Sequence, residues 1–169
     1  EYIPYRKRDF TAPRSGPLHR YFAGHGYASV RLDLRGSGES DGLMTDEYLA
    51  QELEDGKAAI AWLAAQPWCT GSVGMLGNSW GGFNSLQVAA LRPPALKAII
   101  TSCSTDDRYT DDMHWMGGTL LTDTLDWGAS FWTWIARPPD PPLVGDGWRA
   151  AWQDRLDHLN FMVEDWLRH

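Results

Sequence analysis

Residues 72–91 constrain this chain more than any other stretch. Ser72-Val73-Gly74-Met75-Leu76 is a short apolar run that suits a buried strand. Gly77-Asn78-Ser79-Trp80-Gly81 follows as a glycine-flanked turn. Gly82 to Leu91 then reads as a helix, stopped by Arg92-Pro93-Pro94. A strand that enters a helix through so tight a turn leaves no room for side chains two residues either side of Ser79, which is where the glycines stand. Such a turn strains the serine backbone and lifts its hydroxyl above the sheet edge. The helix start aims backbone N–H groups and a positive dipole end at the same spot. In this context G-x-S-x-G is a nucleophile elbow. A plain structural turn is the alternative, and the strand before and helix after it favour the catalytic reading.

The rest of the chain extends the same alternation. Tyr2-Ile3-Pro4-Tyr5 reads as a strand end, Thr11 to Pro17 as a loop by its Pro and Gly content, and His19 to Gly24 as a short helix. Tyr27 to Leu34 is a strand, and Arg35-Gly36-Ser37-Gly38-Glu39-Ser40-Asp41-Gly42 is a Gly-rich turn. A helix is expected from Thr45 to Gln66, with Leu49, Leu53, Gly56, Ile60 and Leu63 on one face and Glu52, Glu54, Asp55 and Lys57 off it. Leu96 to Thr101 is a further strand. Strands alternating with helices predict a parallel sheet with right-handed crossovers, an α/β fold.

After Ser102 the pattern changes. Seven of the ten tryptophans fall there: Trp115, Trp127, Trp132, Trp134, Trp148, Trp152 and Trp166. No further β–α alternation appears, and Arg137 to Pro142 is a stiff connection between helices. This segment reads as an irregular helical cap and not as more sheet.

Composition excludes several functions. The chain has 169 residues, 43% of them apolar, and a net charge of -7, which suits one globular domain. Its basic residues are scattered, apart from Arg6-Lys7-Arg8, which argues against nucleic acid or an anionic membrane as partner. Cys69 and Cys103 lack metal-ligand spacing, lie at strand margins and are expected as reduced, packed thiols. No run suits a membrane span or a signal peptide, so the expected location is the cytoplasm. No cofactor or metal is called for, and a calcium loop would need a spacing that Asp106 to Asp112 lacks.

Three stretches together carry a family resemblance: Tyr27 to Ser40, Trp62-Leu63-Ala64-Ala65-Gln66-Pro67-Trp68, and Gly77-Asn78-Ser79-Trp80-Gly81-Gly82. Their succession resembles the X-Pro dipeptidyl-peptidase family of serine hydrolases. That family includes cocaine esterase, glutaryl acylase and the α-amino-acid ester hydrolases, and is also labelled CocE/NonD. The resemblance runs to about residue 120 and more weakly beyond. It implies an α/β-hydrolase core, here partial at 1–104, and a helical cap, here partial at 105–169. The later strands and a C-terminal jelly roll would be absent. It also implies an enzyme acting on a small-molecule ester, amide or peptide through an acyl-enzyme, the alternative being an inactive scaffold used for binding.

The resemblance assigns Ser79 as nucleophile. The backbone N–H of Trp80 and the phenol of Tyr5 become the two oxyanion donors. It further raises Asp111 or Asp112 as a carboxylate for a substrate ammonium, against the plainer reading of a solvated loop or a pair with Arg108. Asn78 departs from the small or apolar residue more usual at that place, which bears on the shape of the acyl pocket.

A serine nucleophile needs a base and an acid, which in this fold follow it in chain order. His19 and His25 precede Ser79. His114, His158 and His169 fall in the cap segment, and His114 is the least implausible base among them. The acid and base are therefore expected beyond residue 169, and the chain by itself is expected to be inactive. The ends agree with a piece of a longer protein: Glu1 begins on a strand tail, and Trp166 to His169 stops mid-helix.

Overall fold

The computed structural model describes residues 1–159, so the expected helical end at Trp166–His169 lies outside the described residues. Two parallel strand pairs form the centre. Strand β1 (Tyr2–Ile3) pairs with β2 (Leu32–Asp33), and β3 (Val73–Asn78) pairs with β4 (Leu96–Ser102). Because β1 also lies against β3, the strands succeed one another as β2, β1, β3, β4. The register sets Gly77 beside Thr101 and Asn78 beside Ser102. Hydrogen bonds outside the two-residue ladder, from Leu32 N to Glu1 O at 2.9 Å and Leu34 N to Ile3 O at 2.8 Å, continue the β1–β2 pairing.

Three helices connect these strands: α1 (Ala12–Gly24), α2 (Ala50–Ala64) and α3 (Trp80–Ala90). Helix α1 begins in the segment expected to be a loop. Pro13 stands in its first turn, where a missing N–H costs nothing, and only Pro17 falls inside the helix. Helix α2 starts later than its periodicity predicts, because Tyr48, at φ 56°, turns the chain just before it. Glu52 also departs from its expected place off the apolar face: it is 6% exposed and accepts a hydrogen bond from Trp80 Nε1 at 2.9 Å.

Tyr2, Ile3, Tyr5, Leu34, Ile60, Met75, Trp80 and Val88 form the buried core. Beyond β4 comes a feature the sequence did not announce, a small hairpin of β5 (Trp115–Met116) and β6 (Thr119–Leu120). Its turn is Gly117-Gly118, both at positive φ, a two-residue hairpin signal masked by the tryptophan-rich surroundings. Helices α4 (Asp123–Ile135), α5 (Pro141–Val144) and α6 (Trp148–Asp157) follow. Trp127, Phe131 and Trp134 of α4 pack on the core cluster. Among the described residues no helix is long and apolar enough to cross a membrane. Cys69 is half-buried and Cys103 exposed, so the second thiol is not packed as expected.

Burial pushes the Glu52 carboxyl above the usual carboxylate range, against the opposing hydrogen bond from Trp80. The folded chain therefore holds that proton more tightly than the unfolded one. Glu52 contributes most at low pH, and its contribution declines as pH rises through the ordinary carboxylate range and beyond. Glu52→Ala orphans the Trp80 indole N–H and should lower stability by about 1–3 kcal/mol in urea unfolding. Glu52→Gln should gain on wild type as pH rises. A constant difference between the two proteins at every pH would contradict this.

Candidate active site

Ser79 joins β3 to α3 at φ 56° and ψ -122°. These angles match the first central position of a type II′ turn, a place that normally belongs to glycine. The backbone on both sides holds the serine there. Its N–H donates to Ser102 O at 2.8 Å, and its carbonyl accepts from Phe83 N at 2.9 Å. The turn closes backbone on backbone: a Cβ on Gly77 would lie 2.1 Å from the Gly81 carbonyl carbon. A Cβ on Gly81 would lie 3.0 Å from Ile3 Cγ2, which is how β1 comes to flank the elbow.

That flank delivers Tyr5. Two residues past β1, its ring is buried, and its phenol oxygen accepts a hydrogen bond from the Trp80 backbone N–H at 2.8 Å. Helix α4 closes over it, with Trp127 and Trp134 edge-on to the Tyr5 ring at 6.0 and 5.9 Å between centroids. Burial pushes the phenol pKa above its ordinary range, while hydrogen bonding with the Ser79 hydroxyl and the Trp80 amide opposes the rise. The phenol therefore stays protonated through neutral pH and keeps its O–H to give. Nucleophile, backbone donor and phenol converge, so an oxygen placed there can meet two donors beside the serine.

Trp80 itself is anchored on every side. Its indole packs at a tilt against Tyr48 and Phe131, at 5.0 and 5.1 Å between centroids, and donates to Glu52. Two further groups stand nearby: Glu47, which sequence reasoning missed, and His114, the least implausible base of the sequence analysis. Glu47 accepts from Trp127 Nε1 at 3.0 Å, and burial pushes its carboxyl pKa up. His114 Nδ1 lies 3.0 Å from Asp123 Oδ2, and its ring stacks with Trp127. The density of tryptophan after Ser102 was the visible signal, but nothing in it said which rings reach the serine.

Asp111 and Asp112 stand apart from this group, and neither hydrogen-bonds Ser79, Trp80 or Tyr5. Asp111 is exposed. Asp112 is buried, accepts from His114 N at 2.8 Å and lies 3.7 Å from Arg108, whose guanidinium packs over the rings of Tyr48 and Phe83. Each described histidine is engaged elsewhere: His19 with Ser29 and Glu1, His25 with Tyr21, His114 with Asp123 and His158 with Asp154. His169 lies outside the described residues. A cavity of about 550 Å³ between α1, α2 and the strands, lined by Tyr2, Phe22, Ile60 and Ile100, does not include the elbow.

Known proteins share this arrangement of sequence. The family model of the X-Pro dipeptidyl-peptidases (S15 family) matches residues 1–169. Cocaine esterase from Rhodococcus sp. is 33% identical over 126 residues, 70% of this chain and 22% of the esterase. A Streptomyces avermitilis protein named as an Xaa-Pro dipeptidyl-peptidase is 32% identical over 165 residues, covering 80% of this chain and 23% of that protein. A Mycobacterium bovis protein named as a serine esterase is 39% identical over 112 residues, 64% of this chain and 17% of its own length. The crystal structure of a CocE/NonD family hydrolase from Staphylococcus aureus superposes with a TM-score of 0.50 at 27% identity, covering 75% of this chain and 24% of the hydrolase. The chain thus spans about a fifth of the length of these curated relatives.

The elbow makes a sharp structural demand. Gly77→Ala drives a methyl into the Gly81 backbone, which cannot yield as a side-chain tip would. Overpacking of this kind costs about 1–3 kcal/mol or more. The variant should show a clearly lower urea midpoint, or no folded protein, whereas wild-type stability would refute the backbone-on-backbone contact.

Proposed function

The chain belongs to the X-Pro dipeptidyl-peptidase (S15) family and has the α/β-hydrolase fold, and on that footing we propose that it carries the nucleophile of a serine hydrolase. The reaction is cleavage of an ester or amide through an acyl-enzyme. One observation carries the proposal most: a strained Ser79 beside a buried phenol and a backbone N–H 2.8 Å apart.

In this reading Ser79 Oγ attacks the substrate carbonyl carbon and gives its proton to a base. The carbonyl oxygen takes the negative charge and receives hydrogen bonds from Trp80 N–H and Tyr5 O–H. Those donors strengthen their hold as charge develops, which is where they speed the reaction. The intermediate collapses, the leaving group departs with the proton, and water then releases the acyl group from Ser79 by the same steps. Among the described residues no histidine hydrogen-bonds Ser79, and this reading assigns the base and its orienting acid to residues outside 1–159. In this reading His114 ties the segment before the hairpin to Asp123 at the start of α4. The division into a catalytic core to residue 104 and a cap beyond it follows from the same reading.

The substrate class is a small ester, amide or peptide. The related proteins are named for esters and for X-Pro peptides. In this reading the carboxylate offered to a substrate ammonium is Glu47, tied to Trp127, in preference to Asp111 or Asp112.

A fluorophosphonate probe tests the proposal. In an active preparation the label should sit on Ser79 when located by peptide mass spectrometry, and Ser79→Ala should abolish both label and activity. Activity that survives Ser79→Ala, or a label on another residue, would refute it. A folded protein that neither turns over esters nor takes the label would be the inactive scaffold.

A further inference from the structure

The Gly-rich turn 35–42 has no part in the chemistry above, yet it is densely hydrogen-bonded. Ser37 is wholly buried, and Asp33, at the end of β2, is 2% exposed. Gly38 is obligatory there: at φ 53° it lies so close to Asp33 that a Cβ would meet Oδ2 at 2.1 Å. The turn is closed from within by Ser40 Oγ donating to Asp33 O at 2.8 Å and by Gly36 N donating to Asp41 O at 2.9 Å. It is closed from outside by Arg155 of α6, which donates to Gly38 O at 2.9 Å and Ser40 O at 2.8 Å. The glycines therefore shape a rigid turn filled by the protein's own carboxylate, and no anion cradle is left.

This rigid turn grips the segment that carries Tyr5. Ser37 Oγ donates to the carbonyl of Pro4, the residue before Tyr5, at 2.6 Å. Asp33 Oδ1 accepts from the N–H of Lys7, two residues after Tyr5, at 2.7 Å. Lys7 Nζ then bridges Asp33 and Glu39 at 2.7 and 2.8 Å. Between these two grips the backbone is forced: Arg6 sits at φ 60°, a region that residues other than glycine seldom adopt. A strained residue persists only where its surroundings over-determine it, and such strain gathers at functional sites. The result is a phenol oxygen held 2.8 Å from Trp80 N.

We infer that Ser37, with Asp33, is a positioning residue that holds the Tyr5 phenol in place as an oxyanion donor. The inference rests on the serine hydrolase reading. It explains why a buried hydroxyl and a buried carboxylate flank one short segment at the mouth of the elbow. Neither touches substrate. They act through Tyr5, so their loss should weaken binding of the transition state and leave substrate binding nearly alone.

The test is a double-mutant cycle in active enzyme, with Tyr5→Phe, Ser37→Ala and both together, followed by ester hydrolysis. Tyr5→Phe should lower kcat on the order of 10²–10³-fold. Ser37→Ala should lower kcat by about 10- to 100-fold, as a displaced catalytic group does, with KM within about twofold. The double variant should be no slower than Tyr5→Phe, because without the phenol nothing is left to position. If Ser37→Ala does not fold, Ser37→Cys keeps the volume with a weaker donor and runs the same cycle. Losses that multiply in the double variant, or a Ser37 variant with unchanged kcat, would overturn this inference and leave the serine hydrolase reading intact. Unchanged kcat in Tyr5→Phe would overturn both this inference and the role of the phenol.

Discussion

A single hydrogen bond, from Trp80 N–H to the Tyr5 phenol at 2.8 Å, joins residues 75 apart in sequence. The strand pair β3–β4 supplies one end of it and β1 the other. Its existence requires the glycine contacts at the elbow, since Gly81 must be bare for Ile3 to approach. It also requires a dry setting, which the edges of Trp127 and Trp134 provide from the cap. In such a setting a donor is electrostatically stronger than in water, and an unpaired one costs more. The resting bond satisfies the Trp80 amide, and in the proposed mechanism a substrate oxygen takes its place.

The segment after β4 is tied to the strands and helices before it at the points that frame this bond. Glu47 holds Trp127, and Arg6 donates to Arg137 O and Pro138 O at 3.3 and 2.9 Å. Arg155 reaches back from α6 to the Gly-rich turn. Each tie pairs a charged or aromatic group of one part with a backbone or carboxylate of the other. In the proposed mechanism these ties fix the roof of the acyl pocket relative to its floor, so changes in the cap alter which acyl group fits without moving the serine.

Much of the fold was legible because it rests on local pattern. The apolar run before Gly77, the glycines around Ser79 and the prolines after Leu91 fix β3, the elbow and α3 with little help from tertiary contacts. The parallel sheet follows from that alternation. Tyr5 was legible only through the family resemblance, because a tyrosine at a strand end has no local mark of its partner. Glu52 was misplaced because periodicity counts a carboxylate as solvent-facing, whereas the Trp80 indole makes burial tolerable. Helix α1 was read too short because Pro13 and Pro17 count as breakers unless one knows where the first turn falls. The grips of Ser37 on Pro4 and of Asp33 on Lys7, either side of Tyr5, span 33 and 26 residues and are set by strand order, not by sequence neighbourhood.

The central claim is geometric: the serine, the amide and the phenol surround one oxygen position. A crystal structure of active enzyme with a phosphonate covalently bound to Ser79 tests it directly. The account predicts a phosphonyl oxygen within about 2.7–3.1 Å of both Trp80 N and Tyr5 Oη. A phosphonyl oxygen turned to other donors, with the Trp80–Tyr5 hydrogen bond still closed, would contradict it.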